Sequence, residues 1–275
     1  MKLLNGTELA DYIKERQAKQ VRALRQSWRV IPKLAIIQTV DSTVIDMYVR
    51  LKRSYGEDIL VEVVVHKITS SELMATIETL NVDETVHGII IQLPLADSSQ
   101  TDKAVNAVVS EKDVDGLGVN AGFTAATPLA IDWLLVGYNV ELTRKKVAIV
   151  GNGRLVGAPL TKLWRAAGHD LTVFDESSAD IEVQLRQYDV IVSAVGVPGL
   201  ITSDSVKIGA VVVDAGTSAE HGKIVGDVAS DVRTRDDLTI TPEKGGVGPL
   251  TVAALFENVI QSARNVADRQ GQKDI

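Results

Sequence analysis

The sequence predicts an α/β protein built from two α/β domains, and three observations support this. Short apolar runs typical of buried strands alternate with segments of helical spacing, which indicates parallel pairing in layered domains. The pattern restarts after a Gly- and Asp-rich stretch at residues 111–123. The length of 275 residues also exceeds the commonest size of one domain.

The first half of the chain shows three predicted strands, at residues 33–40, 59–68 and 86–95. Apolar residues at helical spacing predict helices at 7–25 and 42–55. Thr69 and Glu72 have the spacing of a capping box, which predicts the start of a third helix there.

The second half begins with Thr127 and Pro128, which are typical of an N-cap and a first helical turn. Strand-like runs follow at residues 145–150, 170–174, 188–195 and 209–216. A last amphipathic helix is predicted at 250–270. We therefore expect an N-terminal domain of residues 1–121, closed by a C-terminal helix at 250–275, and a second domain of residues 122–249.

The composition argues against several classes of partner. A net charge of −7 and a pI near 5.2 disfavour nucleic acid, which needs a basic face. No apolar run approaches the roughly 20 residues that span a bilayer, and the N-terminus turns polar too soon for a signal peptide. We expect a cytoplasmic protein without a membrane partner. The chain has no cysteine and four scattered histidines, so we expect no metal site.

A glycine-rich turn at residues 147–159, "VAIVGNGRLVGAP", lies between a predicted strand and a predicted helix. Gly151 and Gly153 would let the backbone approach a pyrophosphate, and Gly157 would permit close packing of the helix. The spacing is G-x-G-x-x-x-G rather than G-x-G-x-x-G, and a tight turn without a ligand is the alternative. The setting favours a Rossmann-like, dinucleotide-binding domain.

Two further glycine-rich segments favour ligand binding. Gly196 and Gly199 follow a later strand and would lie at the carboxyl edge of the same parallel sheet. "KGGVGPLT" at residues 244–251 has three glycines before the last helix, more than a helix start requires, which indicates a loop that closes over a ligand.

Polar residues of the first half permit two interpretations each. Tyr48 and Lys52 share one helix face. Either the two side chains belong to a site, or the aliphatic stem of the lysine only covers an exposed aromatic ring. Gln92 lies at the end of a buried strand, where its amide either serves only the structure or belongs to a site. Asp113 and Asp115 lie beside glycines in "KDVDGLG", a pattern that also suits an Asx turn.

Together these stretches resemble the bifunctional methylenetetrahydrofolate dehydrogenase/methenyltetrahydrofolate cyclohydrolase family. The matching segments extend along nearly the whole chain: "YVRLK", "GIIIQLPL", "EKDVDG", "TP" at 127–128, "GNGRLVGAP", "AVGVPGLI", "GKIVGDV" and "GGVGPLT". The resemblance implies oxidation of 5,10-methylene-tetrahydrofolate by a nicotinamide cofactor, and hydrolysis of the methenyl product to 10-formyl-tetrahydrofolate. It also implies a homodimer and a folate cleft between the domains.

The resemblance also assigns roles to individual residues. Lys52 would be the catalytic residue of hydrolysis, Gln92 its hydrogen-bond partner, and Tyr48 a residue that stacks on the folate. Asp115 would bind the amino-pyrimidine edge of the pterin. Substrate contacts are further implied for Gly248 and Pro249. The implied cofactor contacts are Gly151, Gly153, Arg154, Gly157, Asp175, Ser178, Gly196 and Thr217.

The choice of cofactor depends on Asp175. Family members commonly use NADP, but Asp175 lies 24 positions after Gly151, where an acidic residue accepts the ribose hydroxyls of NAD. Alternatively, Asp175 only caps the next turn through Ser177 or Ser178. Arg154 is placed to bind a phosphate, so NADP stays the family expectation and NAD the alternative.

The chain departs from the family pattern at several positions. Ile45 stands in place of a serine, and His87 in place of an aspartate. The other departures are Ala126, Ala130, Glu243 and Lys244. They leave three alternatives open: a relative that has lost one or both reactions, an unrelated two-domain dehydrogenase, and a nucleotide-sensing module without catalysis.

Overall fold

The computed structural model describes residues 1–220 and 223–273 and divides the chain into two compact units. The first unit consists of Asp11–Ala126 and Val252–Ile275, and the second of Met1–Ala10 and Thr127–Thr251. The sequence predicts residues 1–10 in the first domain, whereas the structure places them in the second unit. His221 and Gly222, the latter in the family stretch at 222–228, lie outside the described residues.

Apart from α4, which the sequence did not predict, the helices of the described residues fall at the predicted places, with different ends. They are α1 (Gly6–Ser27), α2 (Thr43–Ile59), α3 (Leu73–Val82), α4 (Thr101–Ala107), α5 (Ala126–Gly137), α6 (Gly157–Ala166), α7 (Ile181–Leu185) and α8 (Val247–Lys273).

The strands of the described residues include every predicted apolar run. They are β1 (Lys2–Leu3), β2 (Lys33–Gln38), β3 (Glu62–Lys67), β4 (Gly88–Ile91), β5 (Val147–Val150), β6 (Leu171–Phe174), β7 (Val190–Ser193), β8 (Val211–Asp214), β9 (Ser218–Glu220), β10 (Lys223–Val225) and β11 (Thr239–Ile240).

The sheet of the first unit is parallel, in the order β3-β2-β4. Ile37, Ile77 and Ile89 belong to its buried core, where the apolar runs of β2 and β4 meet α3. Because β3 and β4 lie on opposite sides of β2, the chain reverses its winding direction at β2. Parallel sheets bind ligands at the carboxyl ends of the strands around such a switch point.

The sheet of the second unit has the order β1-β11-β8-β7-β5-β6, and all its pairs are parallel. β1 joins it because Lys2 and Leu3 pair with Thr239 and Ile240, which explains why the first residues belong to this unit. Here the winding direction reverses at β5, which lies between β6 and β7. The α/β class with a Rossmann-like parallel sheet is thereby confirmed.

Three helix starts differ from the sequence prediction. α3 begins at Leu73, because Thr69 N donates to Glu72 Oε2 at 2.9 Å and Glu72 N bonds the Thr69 carbonyl, so residues 69–72 form a turn. α5 begins at Ala126, so Thr127 lies inside the helix and is not its N-cap. α8 begins at Val247, so the helix already includes two residues that we expected in the loop, Gly248 and Pro249.

The described residues show neither a membrane span nor a metal cluster. No helix among them is long and apolar enough to cross a membrane. No group of three or more His, Cys, Asp or Glu side chains in the described part of the chain is placed to share a metal ion.

Two of the residues that depart from the family pattern, Ile45 and His87, are buried in the first unit. Ile45 is 5% exposed on α2, and His87 is 4% exposed just before β4. Lys33 N donates to His87 Nδ1 at 3.3 Å. Burial, helped by the charges of Lys112 and Lys33, lowers the pKa of His87 to about 4.

This buried histidine makes stability depend on pH. The unfolded chain takes up a proton near pH 6.5, whereas the folded chain takes it up only near pH 4. The free energy of unfolding should therefore fall by about 3 kcal/mol as the pH falls from 6.5 to 4, and this contribution should stay constant below pH 4. In His87→Gln, this part of the pH dependence should disappear, as measured by urea unfolding at a series of pH values. His66→Gln is the control, and an equal pH dependence in both variants would contradict the prediction.

Candidate active site

A direct hydrogen bond joins Lys52 and Gln92 in the first unit. Lys52 Nζ donates to Gln92 Oε1 at 2.8 Å. Lys52 projects from α2, and Gln92 follows the last residue of β4, at the carboxyl end of the sheet. Gln92 Nε2 donates to the Leu93 carbonyl at 3.1 Å, which fixes the amide so that its oxygen faces the lysine.

Burial governs the charge of this lysine. Removal from water lowers the pKa of Lys52, and the nearby charge of Asp115 opposes that change only in part. Burial likewise raises the pKa of Asp115, although Lys52 lowers it. Both groups are thus shifted toward their neutral forms. Among the described residues no hydrogen bond joins Lys52 to Asp115, so the two act on each other through space.

Asp113 shapes the loop that carries Asp115. Its Oδ1 accepts from Gly116 N at 3.0 Å, and its Oδ2 accepts from Gly118 N at 2.8 Å. Gly116 has a φ of +69°, a conformation that suits glycine. The Asx-turn interpretation thus holds for Asp113 and not for Asp115. The Asp115 carboxylate accepts no hydrogen bond from the described residues, so its oxygens are available to a ligand.

Asn258, which the sequence did not suggest, secures the same loop. Its side chain, 6% exposed on α8, donates to the Val114 carbonyl at 2.8 Å and to the Thr124 carbonyl at 2.9 Å. The available signal was an asparagine among the apolar residues of "LFENVIQSA". A buried amide with two backbone partners holds the chain on both sides of Asp115.

Tyr48 lies one turn before Lys52 on α2 and is half-buried. Residues four apart lie on the same face of a helix, so the phenol ring and the amine share one side. The structure therefore brings together Tyr48, Lys52, Gln92 and Asp115 around the carboxyl end of one parallel sheet. An amine of lowered pKa, a carboxyl group without a hydrogen-bond partner among the described residues and an aromatic ring can bind a flat, donor-rich molecule and move a proton.

The glycine-rich turn of the second unit connects β5 to α6. Gly151 has a φ of +101°, and a Cβ there would lie 2.7 Å from the Ala194 carbonyl oxygen. A Cβ on Gly157 would lie 1.9 Å from the Gly151 carbonyl oxygen, so only glycine lets α6 start so close to the strand. By contrast, a Cβ on Gly153 would meet nothing within 4 Å. The open side at Gly153 and the start of α6 provide a place for a phosphate.

Gly196 lies in a neighbouring turn, after β7. Ala194 N bonds the Val150 carbonyl at 2.8 Å, so the two turns meet at the switch point of the sheet. Gly196 has a φ of +79°, and a Cβ there would lie 3.2 Å from the Thr217 carbonyl oxygen. The predicted cofactor residues Gly151, Gly196 and Thr217 are thereby brought together. Gly199 also has a positive φ, but its surroundings are open.

Asp175 is exposed just after β6 and caps a turn. Its Oδ1 accepts from Ser177 N at 3.0 Å and from Ser177 Oγ at 2.6 Å, and Ser178 Oγ accepts from Asp175 N at 3.0 Å. The hydrogen bonds from Ser177 lower the pKa of Asp175. The capping interpretation thus describes the local structure. Arg154 is exposed in the turn before α6.

Gly248 and Pro249 lie in the first turn of α8, in the second unit. Gly248 is exposed, and a Cβ there would meet nothing within 4 Å. Gly245, two residues before the helix, has a φ of +80°. Glu243 and Lys244 are exposed in the same segment.

Two family models together match nearly all of the chain. The model for the catalytic domain of tetrahydrofolate dehydrogenase/cyclohydrolase matches residues 4–115. The model for the NAD(P)-binding domain of tetrahydrofolate dehydrogenase/cyclohydrolase matches residues 125–267.

Individual relatives agree with these matches. The bifunctional protein FolD of Campylobacter jejuni is 38% identical over 280 residues, which cover 96% of this chain and 99% of the relative. A crystal structure of the FolD methylenetetrahydrofolate dehydrogenase/cyclohydrolase from that organism has a TM-score of 0.91 and 37% identity, and covers 96% of this chain and 99% of its own. The Trypanosoma brucei methylenetetrahydrofolate dehydrogenase-cyclohydrolase, complexed with NADP and an inhibitor, has a TM-score of 0.88 and 29% identity, with 96% and 97% coverage.

The contact between Lys52 and Gln92 generates a prediction about charge. In Gln92→Glu a carboxylate would replace the amide beside the amine, and it should raise the pKa of Lys52 from its lowered value back toward 10.5. Heteronuclear NMR titration of the lysine Cε and Nζ signals, assigned with Lys52→Met, measures this. Gln100→Glu is the control, since Gln100 bonds Asp97 instead. A Lys52 titration midpoint that is the same in Gln92→Glu and in the wild type would contradict the assigned contact.

Proposed function

The chain belongs to the tetrahydrofolate dehydrogenase/cyclohydrolase family, and from that premise we propose how it performs the two reactions of a bifunctional enzyme. It oxidises 5,10-methylene-tetrahydrofolate to the 5,10-methenyl form with a nicotinamide cofactor. It then hydrolyses the methenyl form to 10-formyl-tetrahydrofolate. The observation that carries the proposal is the part-buried hydrogen bond between Lys52 and Gln92.

Family membership decides between the alternatives that the sequence left open. An unrelated dehydrogenase or a sensing module would not match both domain models across the chain. The residues that differ from the family pattern also do not include the side chains assigned to the chemistry. Lys52, Gln92 and Asp115 are present, and the first two are in hydrogen-bond contact.

We propose that Lys52 moves the protons of hydrolysis. Water adds to the methenyl carbon, and the proton that this water loses passes to the neutral Lys52 amine. The bond from that carbon to N5 then breaks as the hydroxyl oxygen of the adduct loses its proton and becomes the formyl oxygen. N5 takes the proton held by Lys52, so the formyl group stays on N10 and one proton is released overall. Burial lowers the pKa of Lys52, and this increases the fraction of amine that can accept a proton. Gln92 holds the amine in place through its carbonyl oxygen.

Substrate binding in the first unit is assigned to Asp115 and Tyr48. The free oxygens of Asp115 suit the N–H groups of the pterin's amino-pyrimidine ring, since a carboxylate accepts two such bonds side by side. Tyr48 supplies an aromatic face beside Lys52 for the flat pterin. Contacts from Gly248 and Pro249 stay proposals that rest on the family resemblance.

The cofactor is a nicotinamide dinucleotide, and NADP is supported by the family domain and by the T. brucei relative complexed with it. When bound, it supplies the acceptor for the hydride. The open side at Gly153 and the close approach at Gly151 and Gly157 fit a pyrophosphate at the start of α6. The role of these residues is to bind and orient the cofactor, since hydride transfer needs positioning of the two reactants and no acid or base from the protein.

Two further properties are proposed on the resemblance and the acidic composition. The protein would be a homodimer, which light scattering coupled to size-exclusion chromatography measures. It would act in the cytoplasm on soluble folates, which cell fractionation with an antibody tests.

A spectrophotometric assay tests the function directly. Methylene-tetrahydrofolate is supplied with NADP or NAD, and the absorbance of reduced cofactor and of methenyl product are followed separately. Both reactions should be faster than in a blank without enzyme. Formation of reduced cofactor with methenyl decay no faster than in the blank would show that hydrolysis has been lost.

Lys52→Met should abolish methenyl hydrolysis and leave measurable hydride transfer. Only the hydrolytic step needs a group that accepts a proton from water, and methionine fills a similar volume without a base. Methenyl product should then accumulate in the same assay. Hydrolysis at the wild-type rate in a folded variant would remove Lys52 from the mechanism. Arg53→Met, on an exposed position of the same helix, is the control.

Asp115→Ala should mainly weaken folate binding, by about ten- to a hundredfold, because hydrogen bonds to a charged group contribute roughly 1.5 to 3 kcal/mol. Isothermal titration with a folate analogue measures the loss, and NADP titration serves as the control. The prediction fails if folate affinity is unchanged while the variant binds NADP normally.

Asp175→Ser should move the ratio of kcat/KM for NADP over NAD toward NADP. The carboxylate keeps a negative charge near the end of β6, which repels a 2′-phosphate. Kinetics with each cofactor in wild type and variant provide the ratio. Asp180→Ser, another exposed aspartate in the segment before α7, is the control. An unchanged ratio would mean that Asp175 serves only the turn with Ser177.

A further inference from the structure

Asp227 is a fully buried carboxylate beneath the Gly196 turn. Its exposure is 0%, and it accepts four hydrogen bonds. Oδ2 accepts from Ser193 Oγ at 2.7 Å and from Val195 N at 2.8 Å. Oδ1 accepts from Gly196 N at 2.8 Å and from Val197 N at 2.9 Å. Three successive amides of the turn therefore point at one anion.

A second carboxylate holds Asp227 in place. Asp214, at the end of β8, accepts from Asp227 N at 2.9 Å through Oδ1 and from Val228 N at 3.1 Å through Oδ2. Arg233 Nη2 donates to Asp214 Oδ2 at 2.6 Å and neutralises its charge. The link fixes the chain around Asp227 to the carboxyl end of the sheet.

Two glycines make room for these carboxylates. A Cβ on Gly216 would lie 2.1 Å from the Asp227 carboxyl group, and a Cβ on Gly226 would lie 2.1 Å from the Asp214 carboxyl group. The Asp227 carboxyl group therefore occupies the space that a side chain at position 216 would fill. The Asp214 carboxyl group likewise occupies the space of a side chain at position 226. Because Asp227 bonds the Gly196 turn and packs against Gly216, it links that turn to the loop that carries Gly216 and Thr217.

This arrangement changes what the Gly196 turn can offer a ligand. Its three amides are already bonded to Asp227, so they are not free to bind a phosphate. Glycine can adopt many backbone conformations, so the φ of +79° at Gly196 has to be fixed by contacts with other residues. Asp227 selects that conformation through bonds to a charged acceptor, which are stronger than neutral ones.

We propose that Asp227 is a positioning residue for the nicotinamide cofactor, because it fixes the Gly196 turn, which lies beside the Gly151 turn at the switch point of the sheet. The proposal rests on the proposed function, because it assumes that the dinucleotide binds at that switch point. It assigns no role to Asp227 in hydrolysis, which needs no cofactor.

Asp227→Asn tests the proposal, since an amide keeps the shape but turns a donor toward the backbone donors. We expect the KM for NADP, and the Kd for NADP from isothermal titration, to rise tenfold or more, as the loss of hydrogen bonds to a charged acceptor implies. Hydrolysis of methenyl-tetrahydrofolate supplied directly should stay within twofold of wild type. A structural role alone would reduce both activities together.

Two further variants keep the test decisive. Gly216→Ala should push the Asp227 carboxyl group away and weaken NADP binding without a change of charge. Asp231→Asn is the matched control, since exposed Asp231 also accepts two backbone N–H bonds, from Val232 and Ser203, but does not contact the turn. An NADP Kd within twofold of wild type in both Asp227→Asn and Gly216→Ala would overturn the proposal, as would equal loss of hydrolysis and NADP binding in both.

Wild-type measurements separate this proposal from the function on which it rests. If the wild type binds NADP and oxidises methylene-tetrahydrofolate while the variants do the same, only the role of Asp227 is wrong. A wild type that neither binds NADP nor oxidises the substrate would instead overturn the proposed dehydrogenase.

Discussion

The removal of one amine from water is the interaction on which the chemistry of this protein depends. A lysine in water is almost fully charged near neutral pH and cannot accept a proton. Lys52 loses part of its hydration in the first unit, and this lowers its pKa even though Asp115 opposes the change. Gln92 compensates with a neutral acceptor, which keeps the amine in place without restoring its charge. A carboxylate at position 92 would hold the lysine as well but would keep it protonated.

Sheet topology supplies the positions that this chemistry requires. In the first unit β3 and β4 lie on opposite sides of β2, and in the second unit β6 and β7 lie on opposite sides of β5, so the winding direction reverses at β2 and at β5. At such a point the crossover connections leave the carboxyl ends of the strands uncovered. Gln92 extends from such an edge in the first unit, and Gly151 and Gly196 do so in the second. Carboxylates then fix the loops at these edges: Asp113 shapes the loop of Asp115, and Asp227 shapes the turn of Gly196.

Much of this could be predicted from the sequence because strand patterns and glycine spacing are local signals. The apolar runs located β2 to β8 but not β1 or β9 to β11, and the family stretches identified Lys52, Gln92 and Asp115. Helix starts were less accurate. Thr127 is a residue type typical of an N-cap, but the helix already includes Ala126, because a local signal fixes a fraying helix end only to within a residue or two.

Residues that act through distant backbone partners could not be predicted in this way. Asp227 bonds amides 30 to 32 positions earlier, and Asn258 bonds carbonyls more than 130 positions earlier. Neither pairing leaves a periodic pattern. The role of Asp175 could not be decided either, because an aspartate that caps a turn and one that binds a ribose have the same sequence signature. The structure shows the bonds to Ser177, and kinetics must decide the rest.

The pH dependence of methenyl hydrolysis, corrected for the uncatalysed reaction, tests the role of the Lys52 amine most directly. The rate should rise with pH through a group whose pKa lies below the ordinary lysine value of 10.5. In Gln92→Glu the midpoint of that rise should move upward by the same amount as the Lys52 pKa measured by NMR. A kinetic midpoint that stays in place while the Lys52 pKa moves would show that another group accepts the proton.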